Sequence, residues 1–346
     1  MKQFISLSGS SLHTKIVTRT AEFVSPKHPD KICDQISDAI LDAYLEKDPH
    51  ARVAVDVAAA HGFMLVTGEV TSAAKVNIEK IASKYVGSEI EIKINIAKQS
   101  PEIARGVDVG GAGDQGIMVG YACAENDEYL PEEYVLARDL CKFIYDKHSY
   151  DGKTQVTINA IYYNDVFIKA GIKHIVISWQ NVPKKELEKL LQKWTKTLPN
   201  NISLGTDYDY SINPAGDWSQ GGFDADSGLT GRKIVVDNYG PRVPVGGGAF
   251  SGKDPSKVDR SAAYMARKIA VDYLEKHQAN EVIVNISYAL GRAEPVDATA
   301  FIDGHKCTIA DYDLSPRAII KQLDLLRPHY AERAKWGHHS DSLMLK

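Results

Sequence analysis

The chain has 346 residues, more than twice a typical domain length, so two or three domains are expected. Its 41 Lys+Arg against 45 Asp+Glu leave a formal net charge of -4. That balance supplies no global field for nucleic acid or an anionic membrane, so any polyanion site has to be local. Cys33, Cys123, Cys141 and Cys307 lie far apart with no C-x-x-C pair and read as free thiols of a reducing compartment. No apolar leader core is visible near the start, and no run approaches the ~18 apolar residues of a membrane span. A cytoplasmic protein with no nucleic-acid or membrane partner is expected.

Residues 6–11 are Ser/Gly-rich, and residues 1–17 are expected to form a flexible arm, with folded structure starting near Ile16. Ile32, Ile36, Ile40 and Tyr44 recur at helical spacing behind His28-Pro29-Asp30, which predicts a helix with Pro29 in its first turn. Residues 52–58 and 63–70 read as a hairpin around His61-Gly62, 73–85 as a helix, and 89–96 as a half-buried strand. A second round has a helix at 131–147, strands at 155–163 and 172–179, a helix at 184–195, and a short strand before Asn213-Pro214. A third has a strand at 234–237, a helix at 258–277, strands at 281–289 and 298–303, and a helix at 315–325.

The expected fold class is α+β: three similar α/β units, each a small mixed sheet with helices on one face, arranged with pseudo-three-fold symmetry. The corresponding domains are 18–104, 111–230 and 231–346, separated by Gly/Pro/Asp-rich loops at 106–116, 213–231 and 239–255.

Loop 246–260 reads GGGAFSGKDPSKVDR. Glycines let backbone N–H groups approach phosphate oxygens, and Lys253 and Lys257 add charge just before a helix N-terminus. The stretch 247–253 fits G-x-x-x-x-G-K, but Asp254 stands where a P-loop needs Ser or Thr, and Pro255 interrupts the required helix. An ordinary Gly-rich turn remains the alternative. Asp30, Asp34 and Asp38 follow at i, i+4 and i+8 on one helix face, where one or two could hold magnesium or simply complement the helix dipole. Asp38 reads as structural. The hexamers 111–116 and 228–233 suit close ligand approach or a turn, the second with adjacent cations Arg232 and Lys233. No His/Cys spacing of a zinc site occurs.

In order, these segments resemble the S-adenosylmethionine synthetase family. His28 to Ala39 looks like its first signature, 111–116 its second and 246–260 its third; 228–233, 98–101 and 287–295 also match. The resemblance runs from about Thr20 to the C-terminus and suggests a bacterial-type member. It implies a reaction in which methionine sulfur attacks C5′ of ATP, expelling triphosphate that is then hydrolysed to pyrophosphate and phosphate.

Carried over by position, the resemblance makes His28, Lys153, Arg232 and Lys253 catalytic. ATP and its phosphates would meet His28, Lys31, Asp151, Lys153, Trp218, Arg232, Lys233, Ala249, Lys253 and Lys257. Methionine would meet Glu69, Gln99, Asp114, Asp226 and Lys257. Two magnesium ions would sit on Asp30 and Asp259, and potassium on Asp56, where the family usually has Glu. The site would form between two subunits of a homodimer, which can pair into a dimer of dimers. This chain departs from the pattern at Pro26-Lys27, at Asp217-Trp218, in the shortened loop 102–110, and in an abbreviated tail after 337–340. A non-catalytic nucleotide-binding subunit and a triphosphate hydrolase are the other function classes compatible with these motifs.

Overall fold

The computed structural model describes residues 13–86, 89–99 and 110–340. The Ser/Gly-rich segment 6–11, loop residues 102–109 and the tail 341–346 lie outside the described residues. Strand β1 (Thr14–Val24) begins inside the stretch expected to be an arm. It pairs antiparallel with β6 (Gly152–Tyr163) along its whole length, from Thr14↔Tyr163 to Val24↔Lys153, and buries Ala21 and Phe23. Pairing with a partner more than a hundred residues away sets the strand's start, which local composition does not encode.

Three four-stranded sheets follow. The first has order β4-β3-β2-β9, from β2 (Arg52–Ala60), β3 (Phe63–Thr71), β4 (Glu91–Ala97) and the two-residue β9 (Gly228–Leu229). The second has order β1-β6-β7-β8, with β7 (Val166–Trp179) and β8 (Ile202–Ile212) side by side in parallel. The third, order β12-β11-β10-β5, is antiparallel throughout and uses β5 (Gly116–Cys123), β10 (Glu281–Tyr288), β11 (Asp297–Ile302) and β12 (His305–Thr308). Each sheet thus takes one strand from a distant stretch of chain: β9, β1 and β5 respectively. The result is three similar α+β units tied together by exchanged edges.

The helices are α1 (Pro29–Leu45), α2 (Ile78–Val86), α3 (Glu132–Tyr145), α4 (Lys184–Trp194), α5 (Ile234–Asp237), α6 (Val258–His277), α7 (Pro316–Gln322) and α8 (Tyr330–Arg333). Helix α1 packs on β2 and against α8, α3 on β1 and β6, and α6 on β5 and β10. One apolar core joins α1, β2, α6 and β10, and a second fills the β1/β6/β7 unit under α3 and α4.

Four expectations are corrected. Residues 234–237 form a helical turn, not a strand: the β-branched Ile-Val-Val run misleads, because the Asp237 N–H donates to the Lys233 carbonyl (2.8 Å) in a buried turn. The helix expected at 73–85 starts only at Ile78, where the Asn77 side chain accepts the Lys80 N–H (2.9 Å) and caps it. The short strand before Asn213 is the eleven-residue β8. Finally, α7 stops at Gln322 rather than 325.

Candidate active site

His28 precedes α1 in extended backbone and caps it, its Nδ1 accepting the Asp30 N–H at 3.1 Å. The Asp30 carboxylate is buried and takes three donors: the Leu229 N–H at 3.0 Å, Lys233 Nζ at 2.6 Å and Arg232 Nε at 3.3 Å. Burial pushes Asp30 upward, but Lys233 and the Leu229 N–H outweigh it and hold the acid below its usual range. Burial also depresses His28, to about 3, helped by the charges of Lys233 and Lys153. His28 is therefore neutral near pH 7; since Nδ1 accepts, the proton resides on Nε2. A Cβ at Gly228 would lie 2.4 Å from the Pro29 carbonyl oxygen, so this approach of turn to helix needs glycine.

Three aspartates of α1 anchor two loops. Asp34 Oδ1 accepts the Gly231 N–H (2.8 Å), continuing the grip that Asp30 has on Leu229. Asp38 accepts the Gly252 N–H (2.8 Å) and pairs with the buried Arg260 (2.8 Å), the structural part expected of it. Lys31 departs from its expected place at the phosphates: its ammonium is buried between Asp237 (2.5 Å) and Asp34 (3.0 Å). It serves the scaffold beneath the site.

The Gly-rich loop forms the second cluster. Lys253 Nζ meets Asp259 Oδ2 at 2.5 Å, and Lys257 pairs with Asp254. Asp254 itself accepts the Val53 N–H at 2.7 Å, so the residue out of place in a P-loop anchors this loop to β2. A Cβ at Gly248 would lie 2.3 Å from the Asp259 carboxyl carbon; the carboxylate occupies the space the glycine leaves. Ala249 packs beside Gly231, which brings the two loops together, and Lys253 bridges to Ala54 of β2.

Lys153 lies exposed at the start of β6, and beside it Asp151 accepts the Gly222 N–H (3.2 Å). Burial raises the Asp151 carboxyl, against the Gly222 N–H and Lys153. Asp226, exposed, adds its charge to both Asp151 and His28. Trp218 is half-buried, its carbonyl accepting the Asn181 N–H (2.9 Å). The neighbouring Asp217 accepts the Lys184 N–H (3.0 Å) at the start of α4, so this departure from the family pattern has a local structural use. Asp56 and Glu69 stand on one face of the first sheet, paired across β2 and β3 with Thr67 and Ala54. Burial raises Asp56, opposed by Lys253. Gln99 is buried with its Oε1 lacking a partner among the described residues. Asp114 is exposed and accepts the N–H of its neighbour Gln115 at 2.7 Å.

Magnesium fits these donors in one manner. Among the described residues no three His, Cys, Asp or Glu side chains converge into an all-protein cage. Each cluster instead offers one hard carboxylate with a lysine ammonium standing where a cation would, suited to an ion held mainly by water and substrate phosphates. Asp237, the counter-ion of Lys31, escaped the sequence reading because it lies in the segment read as a strand; no local signal marks it.

The chain matches three family models: S-adenosylmethionine synthetase, N-terminal domain, over residues 16–102; central domain, over 109–218; and C-terminal domain, over 220–345. Among curated proteins it is similar to the S-adenosylmethionine synthase of Petrotoga mobilis, 40% identical over 374 residues, 92% of each chain. That of Clostridium tetani is 41% identical over 368 residues, 92% of this chain and 93% of the relative. That of Nitratiruptor sp. is 39% identical over 363 residues, 94% and 93%. Alignments longer than the chain's 346 residues mean that these relatives carry segments it lacks.

Proposed function

The chain belongs to the S-adenosylmethionine synthetase family and is a methionine adenosyltransferase; from that premise we propose how its own residues carry the reaction. ATP, L-methionine and water yield S-adenosylmethionine, diphosphate and phosphate. Thioether sulfur is neutral and already nucleophilic, so the first step asks for no general base. It asks for stabilisation of a departing polyanion, which preorganised cations provide. The observation that carries the reading is the turn 228–233, locked to the buried Asp30 so that Arg232 and Lys233 stand beside the neutral His28.

In this reading Arg232, Lys233, Lys153, Lys253 and Lys257 grip the triphosphate. His28 Nε2–H donates near the C5′–O bond that breaks. Asp151, Trp218 and Ala249 border the nucleotide, and Glu69, Gln99, Asp114 and Asp226 recognise methionine, the unpartnered Gln99 Oε1 awaiting its ammonium group. Asp30 and Asp259 would each hold a magnesium ion, which when bound supplies charge neutralisation for the leaving triphosphate. Asp56 is the candidate potassium ligand.

The site is proposed to close between two copies. The face of the first sheet that carries Asp56 and Glu69 also presents Ala58, Ala60, Leu65, Phe63 and Leu229, half-buried or exposed in the single chain. Such a largely apolar face that also carries site residues suits a two-fold interface. A cytoplasmic location is supported by four free cysteines; among the described residues no helix is long and apolar enough to cross a membrane.

The test is to incubate the protein with ATP, methionine and magnesium, with and without potassium, and follow the three products by chromatography. S-adenosylmethionine, diphosphate and phosphate in equal amounts support the reading, and the potassium comparison tests Asp56. Phosphate release without S-adenosylmethionine would contradict it.

A further inference from the structure

The turn bearing Arg232 and Lys233 is fastened from below by groups that do not themselves reach its open side. Asp34 Oδ1 accepts the Gly231 N–H at 2.8 Å, just before Arg232. On the other flank, the Asp237 N–H donates to the carbonyl of Lys233 at 2.8 Å. Between these two acids lies the Lys31 ammonium, 3.0 Å from Asp34 Oδ2 and 2.5 Å from Asp237 Oδ1. All three side chains are almost fully buried. Thr230 fixes the preceding residue, its Oγ1 accepting the Val57 N–H (2.9 Å) and sharing a hydrogen bond with Ser37 (2.7 Å). Gly231 holds φ at +78°, where a Cβ would also lie 2.6 Å from that of Ala249, so this position of the turn requires glycine.

We propose that Asp34, Lys31 and Asp237 form a positioning relay that sets the backbone of the turn, so that Arg232 and Lys233 are aimed at the triphosphate before it binds. The relay deepens, and rests on, the assignment of those two cations to the triphosphate. Holding donors in place beforehand removes an ordering cost from binding. The buried triplet resists rearrangement because the one ammonium of Lys31 holds both acids, and moving it away would leave two buried carboxylates uncompensated. Loss of the Asp34 acceptor frees the Gly231 N–H, and Arg232 loses its aim without any change at the methionine residues.

The experiment measures dissociation constants of inorganic tripolyphosphate and of methionine by calorimetry, with melting temperature, for the wild type, Asp34→Ala, Asp34→Asn, Asp237→Asn and Arg232→Ala. Asp34→Ala is expected to weaken tripolyphosphate at least tenfold and to leave methionine within twofold. Asp34→Asn, which keeps an acceptor for the Gly231 N–H, restores binding to within threefold. A lower melting temperature with unchanged tripolyphosphate affinity, or equal loss in the Ala and Asn variants, overturns the relay. Should Asp34→Ala not fold, Asp237→Asn decides: at least threefold weaker tripolyphosphate binding supports the relay and unchanged binding overturns it. If Arg232→Ala leaves tripolyphosphate affinity unchanged, the underlying assignment fails, independently of the relay.

Discussion

Lys253 Nζ and Asp259 Oδ2 meet across 2.5 Å at the start of α6. At the start of α1, Lys233 meets Asp30 at 2.6 Å. In each pair the lysine neutralises a carboxylate beside a helix N-terminus. In the proposed site a magnesium triphosphate would take over both interactions, the metal passing to the carboxylate and the phosphate to the ammonium.

Asp259→Asn is accordingly expected to lower turnover by on the order of a hundredfold or more, comparable with losing a preorganised transition-state contact. The melting temperature should change little, because the ion pair that is lost is a partly exposed one with the nearby Lys253. Steady-state rates at saturating ATP check this; near-normal turnover would remove Asp259 from the metal.

Gly248→Ala should imitate that loss without touching the acid. Its Cβ would fall 2.3 Å from the Asp259 carboxyl carbon, so the carboxylate has to move. Turnover is expected to drop at least tenfold, with a raised magnesium requirement. A rate profile in magnesium identical to the wild type would show that Asp259 can relocate freely.

Gln99→Ala should raise the KM for methionine at least tenfold and leave the KM for ATP within twofold. Its buried Oε1 has no partner among the described residues, and such an orphan costs free energy unless a ligand satisfies it. For the same reason the variant should be no less stable than the wild type in thermal melts without ligand. An ATP-specific defect would contradict the assignment.

Glu133, in the first turn of α3, gives a pH prediction away from the site. Burial pushes its carboxyl up to about 7, and the nearby Glu125 adds to the shift. The folded chain thus binds this proton more tightly than the unfolded chain. The group favours folding at acid pH and loses that contribution as pH rises between its ordinary value of 4.5 and about 7. The loss is at most about 3 kcal/mol. Glu133→Gln should therefore melt several degrees above the wild type at pH 8 and close to it at pH 5. A difference that does not vary with pH would show that Glu133 does not titrate in this window.

Much of the architecture was legible because its signals are local. The residues of α6 were read to both ends, its C-terminus marked structurally by Gln278 in the left-handed region. The alternation in β6 and the second half of β7 likewise announced strands. That β1, β5 and β9 are exchanged between units was not legible, since their partners lie far away in the sequence and no local signal names them. At the site, the motifs named His28, Arg232 and Lys233, which stand beside Asp30, and Lys253, which meets Asp259. They could not show that Asp34 and Asp38 spend their carboxylates on backbone amides of two loops, or that Lys31 points down to Asp237. A face with Asp at i, i+4 and i+8 looks the same whether it binds metal or backbone.

The central proposal is that, although the two loops touch within one chain at Gly231 and Ala249, each triphosphate is gripped by the Arg232/Lys233 cluster of one chain and the Lys253/Asp259 cluster of its two-fold partner. Co-expressing Arg232→Ala and Lys253→Ala chains with different tags, and assaying the doubly tagged dimer for S-adenosylmethionine, tests it most directly. With sites shared across a two-fold axis, one of the two sites in the mixed dimer is free of both substitutions, so about half of the wild-type activity should return although each parent is nearly inactive. A mixed dimer as inactive as its parents would place both clusters in the same chain's site and contradict the account.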